Sequence, residues 1–442
     1  MIFGEIRPVI KSNVLSKNDS ENYRPVMNST MALKVLEYSI LPIMHRFLKL
    51  SNRQFGFRKD TSCLSAISIV KETIFKYNAE KSNVFGALVD CSKAFDKINK
   101  NILFRKLIKS GMDPRFVRLL KCIYDNSYVN TRFNGVNSDS WKVGNGVRQG
   151  GILSPLLFGF YIDSVLEEIS GMSEGCDLFG YKSNVICYAD DFLLLAPSAS
   201  GLQILINTFE KRINSLCLKV NALKSNSIVF RSNKSGEGGQ YNVTLGGFRL
   251  TQVNSCKYLG IILCDNGDLG MDLDRVINSF LKQFNGMFAK FKFSSQEVLS
   301  YLFRTFTSSF YGIDLWVEKL KTSQLSKISV CYHKAIKRVA RMNVWESNHE
   351  ACDKIGVPIF KHLFAKRLAC FWHKLSKTKS PCLANLRYYF AVKSHLTGKI
   401  VKYIWENYDV NVSNNPLCAV LARINFIEKN EPRSNYVVSS CS

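Results

Sequence analysis

Val84-Phe85-Gly86-Ala87-Leu88-Val89-Asp90 and, about a hundred residues on, Val185-Ile186-Cys187-Tyr188-Ala189-Asp190-Asp191 are the stretches whose reading decides the fold. The first is an apolar run long enough for a strand buried on both faces, and it ends in a carboxylate. The second is a strand leading into a turn with two adjacent carboxylates, and Phe192–Ala196 reads as its return strand. Adjacent carboxylates repel each other and lose solvation, so a chain rarely puts them at the ends of buried strands without a cation. Magnesium takes oxygen ligands, commonly one or two carboxylates plus substrate phosphates. Two such ions stabilise both the attacking and the leaving oxygen of an in-line phosphoryl displacement, so the pattern points to nucleotidyl transfer.

Outward from these strands, helical apolar spacing covers 31–50 and 62–77. Helices are also expected at Asn101–Lys109, Pro114–Tyr124, Ser154–Ile169 and Leu202–Leu218. Phe3–Ile10, Ser227–Arg231 and Lys257–Leu263 read as further strands, and the pattern from about Leu269 is mostly helical. The order strand–helix–strand–strand–helix–strand predicts an α+β fold, a split βαβ (ferredoxin-like) sheet with helices on one face. That topology brings Asp90, Asp190 and Asp191 to one sheet edge.

The 442 residues carry 60 Lys+Arg against 35 Asp+Glu, a net charge of +25, which suits a polyanionic partner. Residues 281–442 contribute +15 of that excess. Between Lys354 and Trp405 there are 11 basic residues and no acidic one, interleaved with Phe360, Phe364, Phe371, Trp372, Tyr388, Tyr389, Phe390 and Tyr403. Such a stretch grips phosphates and stacks bases, or else its aromatics are simply core. Fourteen cysteines without disulfide-like spacing and no secretory signal point to a reducing, intracellular location. No apolar run reaches the ~18 residues of a membrane span.

A set of motifs in fixed order then carries a resemblance. They are Glu5-Ile6-Arg7-Pro8-Val9-Ile10-Lys11, Asn22-Tyr23-Arg24-Pro25-Val26, Gln54-Phe55-Gly56-Phe57-Arg58, Leu88-Val89-Asp90-Cys91-Ser92-Lys93-Ala94-Phe95-Asp96, Gly146-Val147-Arg148-Gln149-Gly150-Gly151-Ile152-Leu153-Ser154-Pro155, the Tyr188-Ala189-Asp190-Asp191 turn, Leu218-Lys219-Val220-Asn221 with Lys224, and Tyr258-Leu259-Gly260. In this order they resemble the reverse transcriptases of non-LTR (LINE-type) retrotransposons over roughly residues 1–265, and more weakly to about 380. The resemblance implies a right-hand polymerase: fingers and palm at 1–265 with the fingers truncated at the N-terminus, a helical thumb at 266–345, and a basic helical region with a polar tail at 346–442.

It also implies site roles. Asp90 and Asp190 would hold two Mg²⁺ ions, for which Mn²⁺ can substitute, with Asp191 supporting and the Cys91 carbonyl a further ligand. Lys11 and Arg24 would meet the triphosphate, as would the backbone N–H groups of Lys93 and Ala94. Phe95 would exclude a ribose 2′-hydroxyl, and Gln149 with Gly150 would contact the incoming nucleotide. Lys224 would protonate the departing pyrophosphate. Tyr258, Leu259 and Gly260 would support the primer terminus. Lys334, Lys337, Arg338 and Arg341, on an expected Gln324–Met342 helix, would form one basic stripe along duplex phosphates. Each has a plainer alternative: a core Phe95, a surface Lys224, a stripe that only solubilises.

The activity implied is RNA-directed DNA synthesis from dNTPs on an RNA template with a DNA primer, in the nucleus or cytoplasm. Alternatives are a group II intron maturase-like enzyme and a decayed element copy that only binds nucleic acid. A viral RNA polymerase fits less well, because Phe95 opposes the 2′-hydroxyl that RNA synthesis must accept. No ribonuclease H carboxylate set, Cys/His knuckle or endonuclease is evident, so the expectation is an enzyme that copies a template without nicking its own target.

Overall fold

The computed structural model describes residues 2–11, 16–178, 180–232, 241–307, 309–316 and 322–377. Two compact units divide the chain, Met1–Asn254 and a second that begins at Ser255. The first unit thus ends before the expected boundary at 265, and the hairpin around Leu259 belongs with the helices C-terminal to it.

At the centre of the first unit is a five-stranded sheet in the order Thr251–Gln252, Asn226–Phe230, Val84–Asp90, Asp191–Ala196, Val185–Tyr188. Each of its four long strands is antiparallel to its neighbour, and they follow the split βαβ order expected. Ser154–Ser170 and Ala199–Ser215 supply the two crossover helices. Each begins where the sequence allows it. Pro155 stands in the first turn, where its missing N–H costs nothing, and the Ser198 hydroxyl accepts from Gly201 N at 3.0 Å.

Phe85, Ala87, Val89, Val185, Cys187, Phe192, Leu194 and Ala196 pack with these two helices in one core. Strand side chains alternate between faces, yet the intervening Val84, Ile186, Leu193 and Leu195 are buried as well. The helix Cys63–Ala79 packs on the strands Val185–Tyr188 and Val84–Asp90 and buries Ala66, Ile67, Ile69 and Val70. Both faces are therefore covered, as the continuous apolar run before Asp90 requires, although the split βαβ order by itself placed helices on one face only. Gly86 is closely surrounded by the neighbouring strands: a Cβ there would meet Ile228, Phe230 and Leu195 at 3.2–3.4 Å.

A second sheet pairs Ile2–Ile10 antiparallel with Tyr23–Ser29 and parallel with Ser127–Phe133. Lys11 and Arg24 lie at the same end of that hairpin, where Lys11 N donates to Asn22 O at 2.7 Å.

In the second unit, Lys257–Leu263 is not one strand. Ser255–Tyr258 and Ile261–Cys264 form a hairpin closed by Leu259 (φ 45°) and Gly260 (φ 80°), a two-residue loop with both φ positive. The helices Gly270–Phe291, Gln296–Phe306, Thr322–Ala340 and Phe360–Lys377 gather Phe280, Phe284, Phe303, Phe310, Tyr332 and Phe360 into an aromatic core. Phe360, Phe364 and Phe371 are all buried, so these three aromatics of the basic stretch are core. Tyr388, Tyr389, Phe390 and Tyr403 lie outside the described residues, as does the side chain of Trp372.

The basic stripe is also reshaped. Lys334 and Arg338 are exposed. Lys337 is buried and donates to Val344 O at 2.7 Å, its long stem covering apolar surface. Arg341 follows the helix end at φ 54° and donates to Ser294 O at 2.9 Å. Lys337 thus drops out of any phosphate-facing row.

Candidate active site

The three aspartates meet because of strand register. Asp191 pairs directly with Asp90 across adjacent antiparallel strands, and Asp191 also pairs with Tyr188 to close the two-residue turn that holds Ala189 and Asp190. Asp90 is fixed from its other side. Ser225 Oγ accepts from its N–H at 3.0 Å, and its carbonyl accepts from Asn221 N at 2.8 Å.

Crowding shows in the acidities. Asp191 is pushed up to about 6, first by loss of solvation and then by Asp190 and Asp90, with Arg24 opposing. Asp90 is raised by burial and by Asp190, against the pull of Lys224 and a hydrogen bond from Asn221. Burial raises Asp190, and Arg24 again opposes. Carboxylates that resist ionisation together are a donor set that a divalent cation relieves, so these residues fit a magnesium site. Among the described residues no three acidic, thiol or imidazole groups are already drawn to common ligand distance. Burial lifts the Cys91 thiol to about 12, so its sulfur stays protonated and only its carbonyl is suited to a hard cation.

A cleft of about 1600 Å³ opens over this edge. Asp90, Cys91 and Asp190 line it, with Lys11, Arg24, Lys93, Ala94, Phe95, Gln149, Gly150 and Lys224, so nearly every residue expected around metal and nucleotide shares one cavity. The Phe95 ring stacks on Phe158, centroids 4.4 Å apart and planes within 17°, which holds it as a wall. Gly146 and Gly150 permit close backbone approach. A Cβ on either, at φ 85° and 109°, would lie 2.6 Å from Asp96 O or Met27 O respectively. Met27 N in turn donates to Gln149 O at 2.7 Å. Tyr258, Leu259 and Gly260, and the basic residues at 334–341, belong to the second unit and are not among the cleft's residues.

Asp96 reads from the sequence as structural, and Glu21 and Glu37 carry no assigned role there; all three support the site. Asp96 Oδ1 accepts from Gln149 Nε2 at 2.8 Å and so orients the amide. Glu21 Oε1 pairs with Lys93 at 2.7 Å, its carboxyl held low by that bond and by Lys93, Lys11 and Lys224, while Lys11 Nζ donates to Glu21 O at 2.7 Å. Beneath Gln149, the fully buried Glu37 pairs with Arg148 and accepts from Ile152 N at 2.8 Å. Glu37 had a readable signal: it shares a helix face with Leu33, Ile40 and Met44, all buried.

The sheet order, the two crossover helices and the acidic edge are those of the palm of a right-hand polymerase. The chain belongs to the reverse transcriptase (RNA-dependent DNA polymerase) family, which matches residues 15–263. It is 24% identical over 297 residues to the Pol polyprotein of the type-2 retrotransposable element R2DM of Drosophila melanogaster, covering 64% of this chain and 28% of that protein. It is likewise 24% identical over 347 residues to the RNA-directed DNA polymerase from mobile element jockey of Drosophila funebris, covering 73% and 36%. The chain thus spans about a quarter to a third of these curated relatives. Among solved structures it is similar to apo telomerase from Candida tropicalis, at 10% identity and a TM-score of 0.46, over 96% of this chain and 69% of that one. No described helix is long and apolar enough to cross a membrane.

Proposed function

We propose that this chain is an RNA-directed DNA polymerase of a non-LTR retrotransposon, adding dNTPs to a DNA primer on an RNA template. The observation that carries the reading is the Asp90–Asp191 register pair with Asp190 beside it, Asp90 and Asp190 lining a cleft whose walls are cations and an aromatic. Bound between Asp90, Asp190 and the Cys91 carbonyl, with Asp191 supporting, two Mg²⁺ ions would supply Lewis acidity toward the primer hydroxyl and the leaving phosphates.

The chain's own groups do the rest. Lys11, Arg24 and the N–H groups of Lys93 and Ala94 hold the triphosphate, Arg24 as a fork and Lys11 as a point charge. Gln149, its amide fixed by Asp96, reads the sugar–phosphate side of the nucleotide with the close backbone of Gly150. Phe95 fills the space of a 2′-hydroxyl and offers it no hydrogen bond, so a ribonucleotide loses solvation without recompense. Lys224, whose charge already acts on Asp90, delivers a proton to the pyrophosphate. Catalysis is then positioning and electrostatics. In the second unit, Tyr258-Leu259-Gly260 supports the primer end, and Lys334, Arg338 and Arg341 follow duplex phosphates.

The test is primer extension on a poly-riboadenylate template with Mg²⁺ or Mn²⁺, comparing the parent with Asp190→Asn. The reading expects loss of incorporation by at least a hundredfold. Incorporation that survives the substitution removes this site. Tight template binding without incorporation by either protein favours a nucleic-acid binder.

A further inference from the structure

Gln54 is polar, central to the Gln54-Phe55-Gly56 motif, and only 1% exposed, yet no role in the cleft uses it. Its segment runs parallel beside the strand Val185–Tyr188: Phe55 N donates to Cys187 O at 2.8 Å and Cys187 N to Arg53 O at 2.9 Å. This docking aims the Gln54 side chain at the acidic turn. Oε1 accepts from Ala189 N at 2.9 Å and from Gly56 N at 2.9 Å. Nε2 faces Cys187 Sγ at 3.4 Å and Ala189 O at 3.5 Å. The carboxamide thus meets both peptide groups of Ala189, the residue just before Asp190.

Ala189 needs this. It sits at φ 56°, a left-handed conformation disfavoured for a residue with a Cβ, and the contacts from Gln54 support it in addition to the strand pairing that closes the turn. Gly56 completes the contact: a Cβ there would lie 2.6 Å from Ala189 N, so only glycine lets the segment sit against the turn. We propose that Gln54 is a positioning residue that clamps Ala189 and thereby fixes where Asp190 presents its carboxylate. This rests on the copying function proposed above. Gln54 is not among the residues that line the cleft. A neutral amide suits the place, because it both accepts and donates without adding a charge beside Asp190.

The experiment compares the full-length parent with Gln54→Leu, Gln54→Glu and Asp190→Asn. Hydrogen exchange of the 186–192 segment reads the clamp directly. Exchange at Ala189 speeds at least tenfold in Gln54→Leu, while the Ser154–Ser170 helix keeps its protection. Gln54→Glu keeps the oxygen that accepts from Ala189 N but loses the donor and the neutrality, so Ala189 exchange falls between the parent and Gln54→Leu, which separates loss of the contact from loss of the fold. Mn²⁺ titration followed by electron paramagnetic resonance, with primer–template present, weakens about tenfold in Gln54→Leu. Its turnover recovers at high Mn²⁺ with the KM for dNTP unchanged. Parent-like exchange and Mn²⁺ affinity in Gln54→Leu overturn the clamp. A parent with Ala189 protected that extends no primer counts against the copying function and not against the clamp.

Discussion

Asp191 faces Asp90 directly across the ladder of two antiparallel strands, with Asp190 next to it in the turn. Loss of solvation and the repulsion from Asp90 belong to the folded chain, since the unfolded one holds Asp90 about a hundred positions from Asp191. A carboxyl whose folded pKa is raised favours the folded state only while protonated. Its contribution is neutral below about pH 4 and increasingly destabilising as pH rises through about 6. Without divalent metal, Asp191→Asn should therefore raise the melting temperature at pH 7 but not at pH 4. The rise should be about 2–4 °C, corresponding to ~1 kcal/mol after solvent screening of a carboxylate at the rim. In the parent, Mg²⁺-dependent extension should climb between pH 5 and 7 as the cluster ionises. Calorimetry across pH and initial rates at fixed Mg²⁺ measure the two effects. A flat difference in melting temperature between the pH values would remove the repulsion.

Phe95 owes its position to the Phe158 ring stacked beneath it. Phe95→Ala should relax discrimination between dNTP and rNTP at least tenfold, measured as the ratio of kcat/KM values. Phe158→Ala should relax it less, because the wall remains but loses its backing. If Phe95→Ala still rejects ribonucleotides as the parent does, the ring is ordinary core.

The Asp96–Gln149 hydrogen bond predicts a split between binding and chemistry. Asp96→Ala frees the amide to rotate and should raise the KM for dNTP about tenfold with kcat within about threefold of the parent. An equal fall in kcat would place Asp96 in the chemical step.

Glu21 sets a carboxylate among the cleft's cations: it pairs with the Lys93 side chain, and its carbonyl accepts from Lys11, which the triphosphate is proposed to use. Glu21→Gln should lower the KM for dNTP several-fold at low salt, and the gain should fade as ionic strength screens exposed charges. A higher KM would show that Glu21 arranges Lys93 rather than competing for it.

The buried Glu37–Arg148 pair gives the largest stability effect. Glu37→Ala leaves a guanidinium buried and unpaired and should cost about 3–5 kcal/mol in denaturant unfolding. Replacing both, Glu37→Leu with Arg148→Met, should cost much less.

How much of this was legible depends on where the stabilising contact lies. Val84–Asp90 and Val185–Ala196 declared themselves because strands buried on both faces are continuously apolar. Ser127–Phe133 did not, since its sequence mixes polar residues and its partner, Ile2–Ile10, is some 120 positions away. Lys257–Leu263 looked like one strand because Leu259 is an unusual residue for positive φ, and Gly260 alone carried the turn signal. Lys337 had the spacing of a surface stripe, but which lysines turn inward is decided by neighbouring loops, here the Val344 carbonyl. Gln54 stood out only as part of a motif, and its purpose appears once Ala189 stands beside it.

The thiols under the acidic turn have a practical consequence. Cys91 and Cys187 are buried and held protonated, whereas Cys122 and Cys217 stand exposed. A maleimide dye offered briefly to the folded protein near neutral pH will therefore react with Cys122 and Cys217 before it reaches Cys91 or Cys187. Once Cys63, Cys331, Cys370 and the three cysteines outside the described residues are replaced, fluorescent reporters at Cys122 and Cys217 leave the acidic turn untouched.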